Sequence, residues 1–305
     1  MPAKADGRLA ASALAKTLME GGDIPRPTHA QLQAYVEKQN YSVASLLAAS
    51  QLADGSREWL QEAVKRYPDH PRVARAMLQG QTQMTEDASV WIQRLKAGDP
   101  GNALGWSYQA LQSLQTGQME DVRHSLDEAS QGKKMDTYAK EEVAALKEAF
   151  RSAGQGELEA ELLSMSCRQL PQATLMMTLS RELQKHASLA ANPEVMQDML
   201  ELTRQLRPHD GSGVLIDRLV ACAIDCSLTK QLEIYDELPG SHITVAEHLA
   251  GIQSEQKAIR EMMRGAQPLL AALDDSELKQ YLRRVYVEGE MKALQWVQRT
   301  KGGTD

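Results

Sequence analysis

Phenylalanine occurs once in this chain of 305 residues, as Phe150, and aromatic residues make up only 4% of it. A globule of this length ordinarily fills its core with many aromatic rings, so the core here must be built from other side chains. Alternating runs of valine, isoleucine, tyrosine and threonine are also missing, which removes the signature of half-buried strands. Cysteine is scarce: Cys167, Cys222 and Cys226 form an odd set, too thin for a disulfide scaffold, and they point to a reducing compartment. Basic residues are outnumbered, with a formal net charge of -7 and a pI near 5.6. Lysine and arginine are scattered among acids rather than gathered into a stripe, which argues against a nucleic-acid footprint. No stretch reaches the roughly 18 apolar residues of a membrane span, so no membrane insertion is expected. Lys16 and Glu20 interrupt the only N-terminal run that could serve as a signal h-region. The expected location is the cytoplasm, or the periplasm if an N-terminal anchor or signal has been removed.

What is plentiful is alanine, leucine, glutamine, glutamate and methionine, the strong helix formers. With 42% hydrophobic and 25% charged residues the chain should fold throughout, and it reads as all-helical. Prolines punctuate the pattern: Pro25, Pro27, Pro68, Pro71, Pro100, Pro171, Pro193, Pro208, Pro239 and Pro268 fall at expected joints, where a missing N–H does least harm. Thr28 with Gln31 and Thr244 with Glu247 have the spacing of capping boxes, and Asn192-Pro193 reads as an N-cap followed by proline at the first helical position.

Between residues 40 and 166 the helical patterns pair up as 40–53 with 56–67, 71–84 with 86–97, 102–115 with 119–130, and 137–153 with 157–168. The third pair carries Trp106 early in its first helix, Ala110 one turn on, Gly117 at the turn, then Val122, Leu126 and Ala129, with Asp99-Pro100 closing the unit before it. In this it resembles the tetratricopeptide repeat. Ala76 with Ala88, and Ala63 with Pro68, hold the matching positions in earlier units, whereas Gln109 and Ser113 depart from the Leu and Tyr of the family pattern. The succession Ser45-Leu46-Leu47-Ala48-Ala49, Tyr67-Pro68-Asp69-His70-Pro71 and Glu288-Gly289-Glu290 to Trp296 is also similar to helical-repeat proteins of verrucomicrobial-type bacteria, a likeness that implies no activity. The tetratricopeptide resemblance implies a right-handed array of helical hairpins, each burying on its neighbours the apolar stripe it cannot bury alone. It also implies a concave inner face, lined by the first helices, that holds a peptide or partner protein. On that face the expected partner-binding residues are Arg72, Arg75 and Gln79 of one helix and Leu104, Ser107 and Leu111 of the next. The lysine, arginine and asparagine set with which some family members grip a terminal carboxylate is not present on the Trp106 helix.

The expected domain organisation is an N-terminal helical arm over 1–39, helical repeats over 40–168, an irregular helical region over 169–240 and a C-terminal antiparallel hairpin over 241–305. In the irregular region helices are read near 171–187, 193–206, 212–226 and 228–237. The hairpin would consist of helices 243–265 and 276–299 joined by a Gly-Ala-Gln-Pro turn at 265–268. Its stripes, Val245, Leu249, Ile252, Ile259 and Met263 on one helix and Leu278, Leu282, Val285, Ala293 and Trp296 on the other, approach heptad spacing and could form a cap or a dimer seam.

Chemistry has few footholds. Cys222 and Cys226 lie four apart on a helical pattern with His209 upstream, but the fourth ligand and tight spacing of a structural zinc site are missing, so they read as core residues. His242 and His248 flank a helix start. Glu247 and His248, being adjacent, point about 100° apart and do not form an acid–base pair. A zinc helix of the H-E-x-x-H type would need histidine where Gly251 stands, and phosphate loops, dinucleotide fingerprints and nucleophile elbows are absent from the sequence. Gly211-Ser212-Gly213 reads as a turn, Met176-Met177 and Met262-Met263 as pliable core, and Glu157, Glu159 and Glu161 as a solvated face.

The function expected from the sequence is therefore a non-catalytic interaction scaffold, with no cofactor, metal or catalytic residue and a protein or peptide partner. The alternative is a self-associating protein that dimerises through the C-terminal hairpin. Enzymatic or metal chemistry around Cys222, Cys226 and His209 is a third reading. The repeat register makes one direct prediction. Ala110→Leu should overpack a helix crossing and destabilise the fold by about 1 to 3 kcal/mol, read as a lowered melting temperature, whereas an unchanged melt would discredit the register.

Overall fold

The computed structural model describes residues 11–53, 56–79, 81, 83–186, 192–207, 214–233 and 236–303; His209, the Gly211-Ser212-Gly213 turn and residues 1–10 lie outside the described residues. All regular elements among them are α-helices, and strand-like pairing is confined to single bridges between Asn102 and Lys134 and between Glu237 and Thr244. The helices are α1 (Ala11–Met19), α2 (His29–Lys38), α3 (Val43–Leu52), α4 (Glu58–Arg66), α5 (Pro71–Leu78), α6 (Glu86–Gly98), α7 (Ala103–Thr116) and α8 (Met119–Ser130). There follow α9 (Ala139–Ser152), α10 (Glu157–Ser166), α11 (Pro171–Gln184), α12 (Pro193–Gln205), α13 (Leu215–Thr229), α14 (Val245–Leu270), α15 (Asp275–Glu288) and α16 (Glu290–Lys301). No helix among the described residues is long and apolar enough to cross a membrane.

Local chemistry accounts for the helix starts. Thr28 and Gln31 close a reciprocal capping box, as do Asp274 and Glu277, while Asn192 accepts from the backbone N–H groups of Glu194 and Val195 ahead of α12. Thr244 and Glu247 exchange the same two bonds at the start of α14. Gly117 ends α7 with φ 75, a left-handed conformation that costs glycine nothing.

The chain divides into two compact units, each assembled from separated segments: Met1–Arg57 with Lys140–Arg168 and Met262–Asp305, and Glu58–Ala139 with Gln169–Glu261. These boundaries do not coincide with 1–39, 40–168, 169–240 and 241–305. In the first unit α10 packs on α1 and α15, α2 on α3, and α15 on α16. Its core includes Ala11, Leu162, Leu273, Leu278, Leu282 and Val297. The Tyr35 hydroxyl donates to the Ala145 carbonyl at 3.0 Å and the Gln31 side chain to the Ala153 carbonyl at 3.0 Å, tying α2 to α9.

The C-terminal region differs from the expected hairpin. Residues 265–268 are helical, with Pro268 in the last turn of α14, where its missing N–H withdraws one bond, that to the carbonyl four residues earlier, without ending the helix before Leu270. The reversal comes instead at residues 271–274. The second expected helix is broken at Gly289, with φ 90, and it is α15 and α16 that pack together. Leu278, Leu282 and Ala293 are buried within the unit, so the stripe proposed as a dimer seam is consumed by the chain itself.

In the second unit α5 packs on α6 and α7 on α8, as expected, and α6 packs on α7. Of the remaining expected pairs, α3 and α4 fall in different units, and α10, from the 137–168 pair, packs on α1 and α15 of the first unit. The helices that cover the far side of the α7/α8 pair come from the region expected to be irregular: α11 packs on α7, α12 on α8, and α13 on both α11 and α12. Among the described residues of 228–237, which leave out 234 and 235, there is no separate helix, since α13 runs to Thr229 and turns follow it. One core runs through the unit, joining Ala88 and Ile92 to Leu104, Leu111, Leu126, Met176, Leu179, Met199 and Ile224.

The joint between α6 and α7 is fastened by polar groups. The Asn102 side-chain oxygen accepts from the N–H groups of Leu104 (3.1 Å) and Asp136 (3.0 Å), and its amide donates to the Asp136 carbonyl at 2.7 Å and to Asp99 at 3.1 Å. Asp99 also receives the Tyr138 hydroxyl at 2.9 Å and Lys134 at 3.1 Å. These bonds hold Tyr138 at φ 59, a left-handed backbone that a bulky residue adopts only under constraint. Burial alone would raise the Asp99 carboxyl, but the bonds from Tyr138, Asn102 and Lys134 outweigh it and hold the group below the usual carboxylate range. A carboxyl that titrates lower folded than unfolded stabilises the fold fully above the ordinary carboxylate range, and that contribution is lost as the pH falls toward the depressed value. Tyr138→Phe should therefore lose about 1 kcal/mol at neutral pH and show a shallower loss of stability than wild type below about pH 4. Urea unfolding at stepped pH measures both, and parallel acid limbs would remove Asp99 from the account.

Candidate functional site

Four of the six residues expected on a concave face are buried: Arg75 is 2% exposed, and Leu104, Ser107 and Leu111 are 0% exposed. The cause is the enclosure of α7, whose Leu104 and Leu111 belong to the core shared with α6, α8 and α11. Only Trp106, Gln109, Gln115 and Thr116 on this helix reach solvent even partly. Ser107 turns its hydroxyl back to the Ala103 carbonyl at 2.9 Å. On α5, Arg75 donates to the Gln79 side chain at 2.8 Å, and burial lowers its guanidinium to a pKa of about 10. Arg72 is half-buried, and its backbone N–H is taken by His70 Nδ1 at 3.2 Å. The expected face is thus corrected: it is interior, and most of its residues are structural.

A different pair of helices keeps free faces. α11 and α13 run parallel, because the Gln172 amide donates to Asp217 at 2.9 Å near their beginnings and the Gln184 amide donates to the Ser227 hydroxyl at 2.9 Å near their ends. On α11 the positions turned from the core are Thr174, Met177, Thr178 and Arg181, in line with Gln184 at helical spacing. On α13, Ile216, Val220, Ala223 and Ser227 recur at intervals of four, three and four, which places them on one stripe. The Gln184–Ser227 bond sets the two stripes side by side. Met177 is 38% exposed and Ile216 41%, with Leu219 and Val220 half-buried beside them. Toward the helix ends the surface becomes basic, with Arg181, Lys185 and Lys230 all exposed. Lys185 pairs with Glu182 at 2.7 Å, whereas Arg181 and Lys230 have no ion-pair partner among the described residues.

Behind this face lies a polar cluster that secures α13. Asp225, 1% exposed, accepts from Arg207 Nη2 at 2.7 Å, faces His248 Nε2 at 2.7 Å and receives the Thr229 hydroxyl at 3.2 Å. Glu255 on α14 takes Arg218 at 2.7 Å and Arg207 at 3.5 Å. Cys222 is buried at 3.8 Å from Arg207 Nη1, and burial, with Glu255 adding to it, pushes its thiol up and away from the nucleophilic thiolate. Cys226 is half-buried and His242 exposed. Glu247 caps Thr244, while His248 turns toward Asp225. The cluster has the composition of a fastener for α12, α13 and α14. Among the described residues no three His, Cys, Asp or Glu side chains are placed to hold a metal ion.

Asp225, Arg207, Arg218 and Glu255 escaped the sequence reading because their pairings span 18 to 48 residues and leave no periodic mark. The available signal was an acid on the buried stripe of α13, in step with Leu215, Cys222 and Thr229. Elsewhere, an open hollow of about 310 Å³ in the first unit is lined by Lys38, Glu148, Arg151, Ser152, Gln155 and Glu157, but Arg151 is occupied by Glu148 and Glu157. No protein-family model, curated protein or solved structure matches the chain.

Removing the cluster's central carboxylate leaves Arg207 without its buried partner, a costly state. Asp225→Ala should destabilise the protein by about 3 kcal/mol in urea unfolding, and a change under about 0.5 kcal/mol would show that solvent serves Arg207 equally well.

Proposed function

We propose that this chain is a non-catalytic partner-binding protein, a tetratricopeptide-like array of helix pairs that holds a segment of another protein on the α11/α13 face. The observation that carries this reading is the pair of adjoining solvent-facing stripes, Thr174, Met177 and Arg181 beside Ile216, Val220 and Ala223, on helices locked in parallel. Isolated exposed apolar residues are ordinary on any surface, but apolar stripes that adjoin across a helix seam offer a continuous contact of the kind a partner can cover. The packing order supports the array. α5 packs on α6, α7 on α8, α11 on α7 and α12 on α8, with α13 on both α11 and α12, and in this reading α11 and α13 take the part of first helices, the members that line the binding face in arrays of this kind. In this reading the repeat register passes from α8 directly to α11, and α9 and α10 are an excursion from it. Self-association through the C-terminal hairpin has less behind it, since Val245, Ile252, Ile259, Leu278, Leu282 and Ala293 of the stripes assigned to that seam are buried inside one chain, although Met263 is exposed.

The test places a photo-reactive amino acid at Met177 or Ala223 and, as a control, at Lys257 on α14, whose side chain is 77% exposed. In living host cells the two face positions should give the same discrete cross-linked adduct, the Lys257 position none, and Ile216→Arg should abolish the adduct. Equal labelling at all three positions, or none from the face, would refute the assignment.

A further inference from the structure

The α11/α13 face is graded along its length, and the grading identifies the chemistry of what it binds. Ile216, Leu219 and Ala223 occupy the first half of α13, with Met177 midway along α11. The cations Arg181, Lys185 and Lys230 gather toward the helix ends. The acids in that neighbourhood are Glu182, which Lys185 already engages, and Glu233, Asp236 and Glu237, exposed on the segment that follows α13; Asp217 and Asp225 are buried and committed to Gln172 and to Arg207. In a chain of net charge -7, this leaves Arg181 and Lys230 without an ion-pair partner among the described residues at one end of an apolar strip. Basic side chains near a helix C-terminus are in part answered by its carbonyls. Arginine, with five N–H donors, and lysine, with three, retain donors for a ligand after that bond is made.

From this complementarity, and resting on the reading of the face given above, we propose that the partner segment is a short acidic-apolar peptide. Its apolar side chains lie on Ile216, Met177 and Ala223, and the carboxylates that follow meet Arg181, Lys185 and Lys230. The helical rise from Ile216 to Lys230 spans roughly 21 Å, which accommodates about six extended residues. A nucleic acid is the weaker match, because its affinity comes from many phosphate contacts and this patch has too few cations to supply them.

The experiment is fluorescence anisotropy with the full-length protein and labelled peptides of about six residues. One peptide carries leucine and isoleucine first and aspartates last, a second has asparagine in place of each aspartate, and a short single-stranded DNA is the third probe. The acidic peptide should bind about tenfold more tightly than its amide counterpart, and the gap should narrow as salt is raised. The double variant Arg181→Ala, Lys230→Ala should bring the acidic peptide down to the affinity of the amide peptide while leaving the latter unchanged. Ile216→Arg should weaken both, and melting curves confirm that the variants fold. Equal affinity for acid and amide, with both lost in Ile216→Arg, would overturn the acidic partner while leaving the face as a binding surface. Binding of either peptide that survives Ile216→Arg would overturn both. Failure of both peptides to bind, or preference for the DNA, would overturn the acidic peptide, and the cross-linking pattern would then decide the face by itself.

Discussion

The second unit depends on the enclosure of α7. A helix with Leu104, Ser107, Ala110, Leu111 and Leu114 buried along its length, and only Trp106, Gln109, Gln115 and Thr116 reaching solvent, must be covered on most of its circumference. Neighbours close in sequence, α6 and α8, cover part of it. The remainder is covered by α11, which the chain reaches only after the excursion of Lys140–Arg168 into the other unit. The small side chains Gly105, Ser107 and Ala110 let these neighbours approach, and an added Cβ at Gly105 would meet the Lys96 side chain at 2.8 Å. Few aromatic rings suffice here because close backbone approach, rather than bulk, fills the space.

Two groups of polar side chains inside the unit stand where elements must be joined. Asn102 satisfies four backbone and side-chain partners at one joint, and Asp225 collects Arg207, His248 and Thr229 at another. Each cluster meets its own hydrogen-bonding demand, which is the condition for tolerating buried polarity. The second anchors α13 from its buried side, so that of its opposite stripe Ser227, bonded to Gln184, and Val220, packed on the core, have structural duties while Ile216 and Ala223 remain exposed.

Features encoded within a few residues were legible in the sequence. The capping boxes at Thr28 and Thr244, the Asn192 cap, the Gly117 terminus and the α5/α6 and α7/α8 pairs all stand where short-range spacing puts them. The all-helical composition was legible for the same reason, since propensity is a local property. The candidate face was not. Placing it on α5 and α7 assumed that pairs adjacent in sequence stack in order, and nothing local announces that residues 140–168 leave and that Pro171 resumes the packing. Arg75 could have been suspected, because it falls among Ala74 and Leu78 on the buried side of α5, but a charged side chain reads as exposed unless its surroundings are known.

Interleaving of the two units also has a consequence in time. A ribosome delivers the chain from its N-terminus, and domains complete themselves only when their last necessary segment has emerged. The core around α7 cannot close before α11 and α12 exist. Ala11 on α1 shares a core with Leu278 and Leu282 of α15 and Val297 of α16. α1 thus finds these neighbours only after α15 and α16 have been made, and its apolar stripe stays exposed until then. Contacts of such sequence separation form slowly. The same arrangement makes α1 and α16 interdependent: loss of α16 would deprive α1 of part of its core, although the helices between them in sequence lie partly in the other unit.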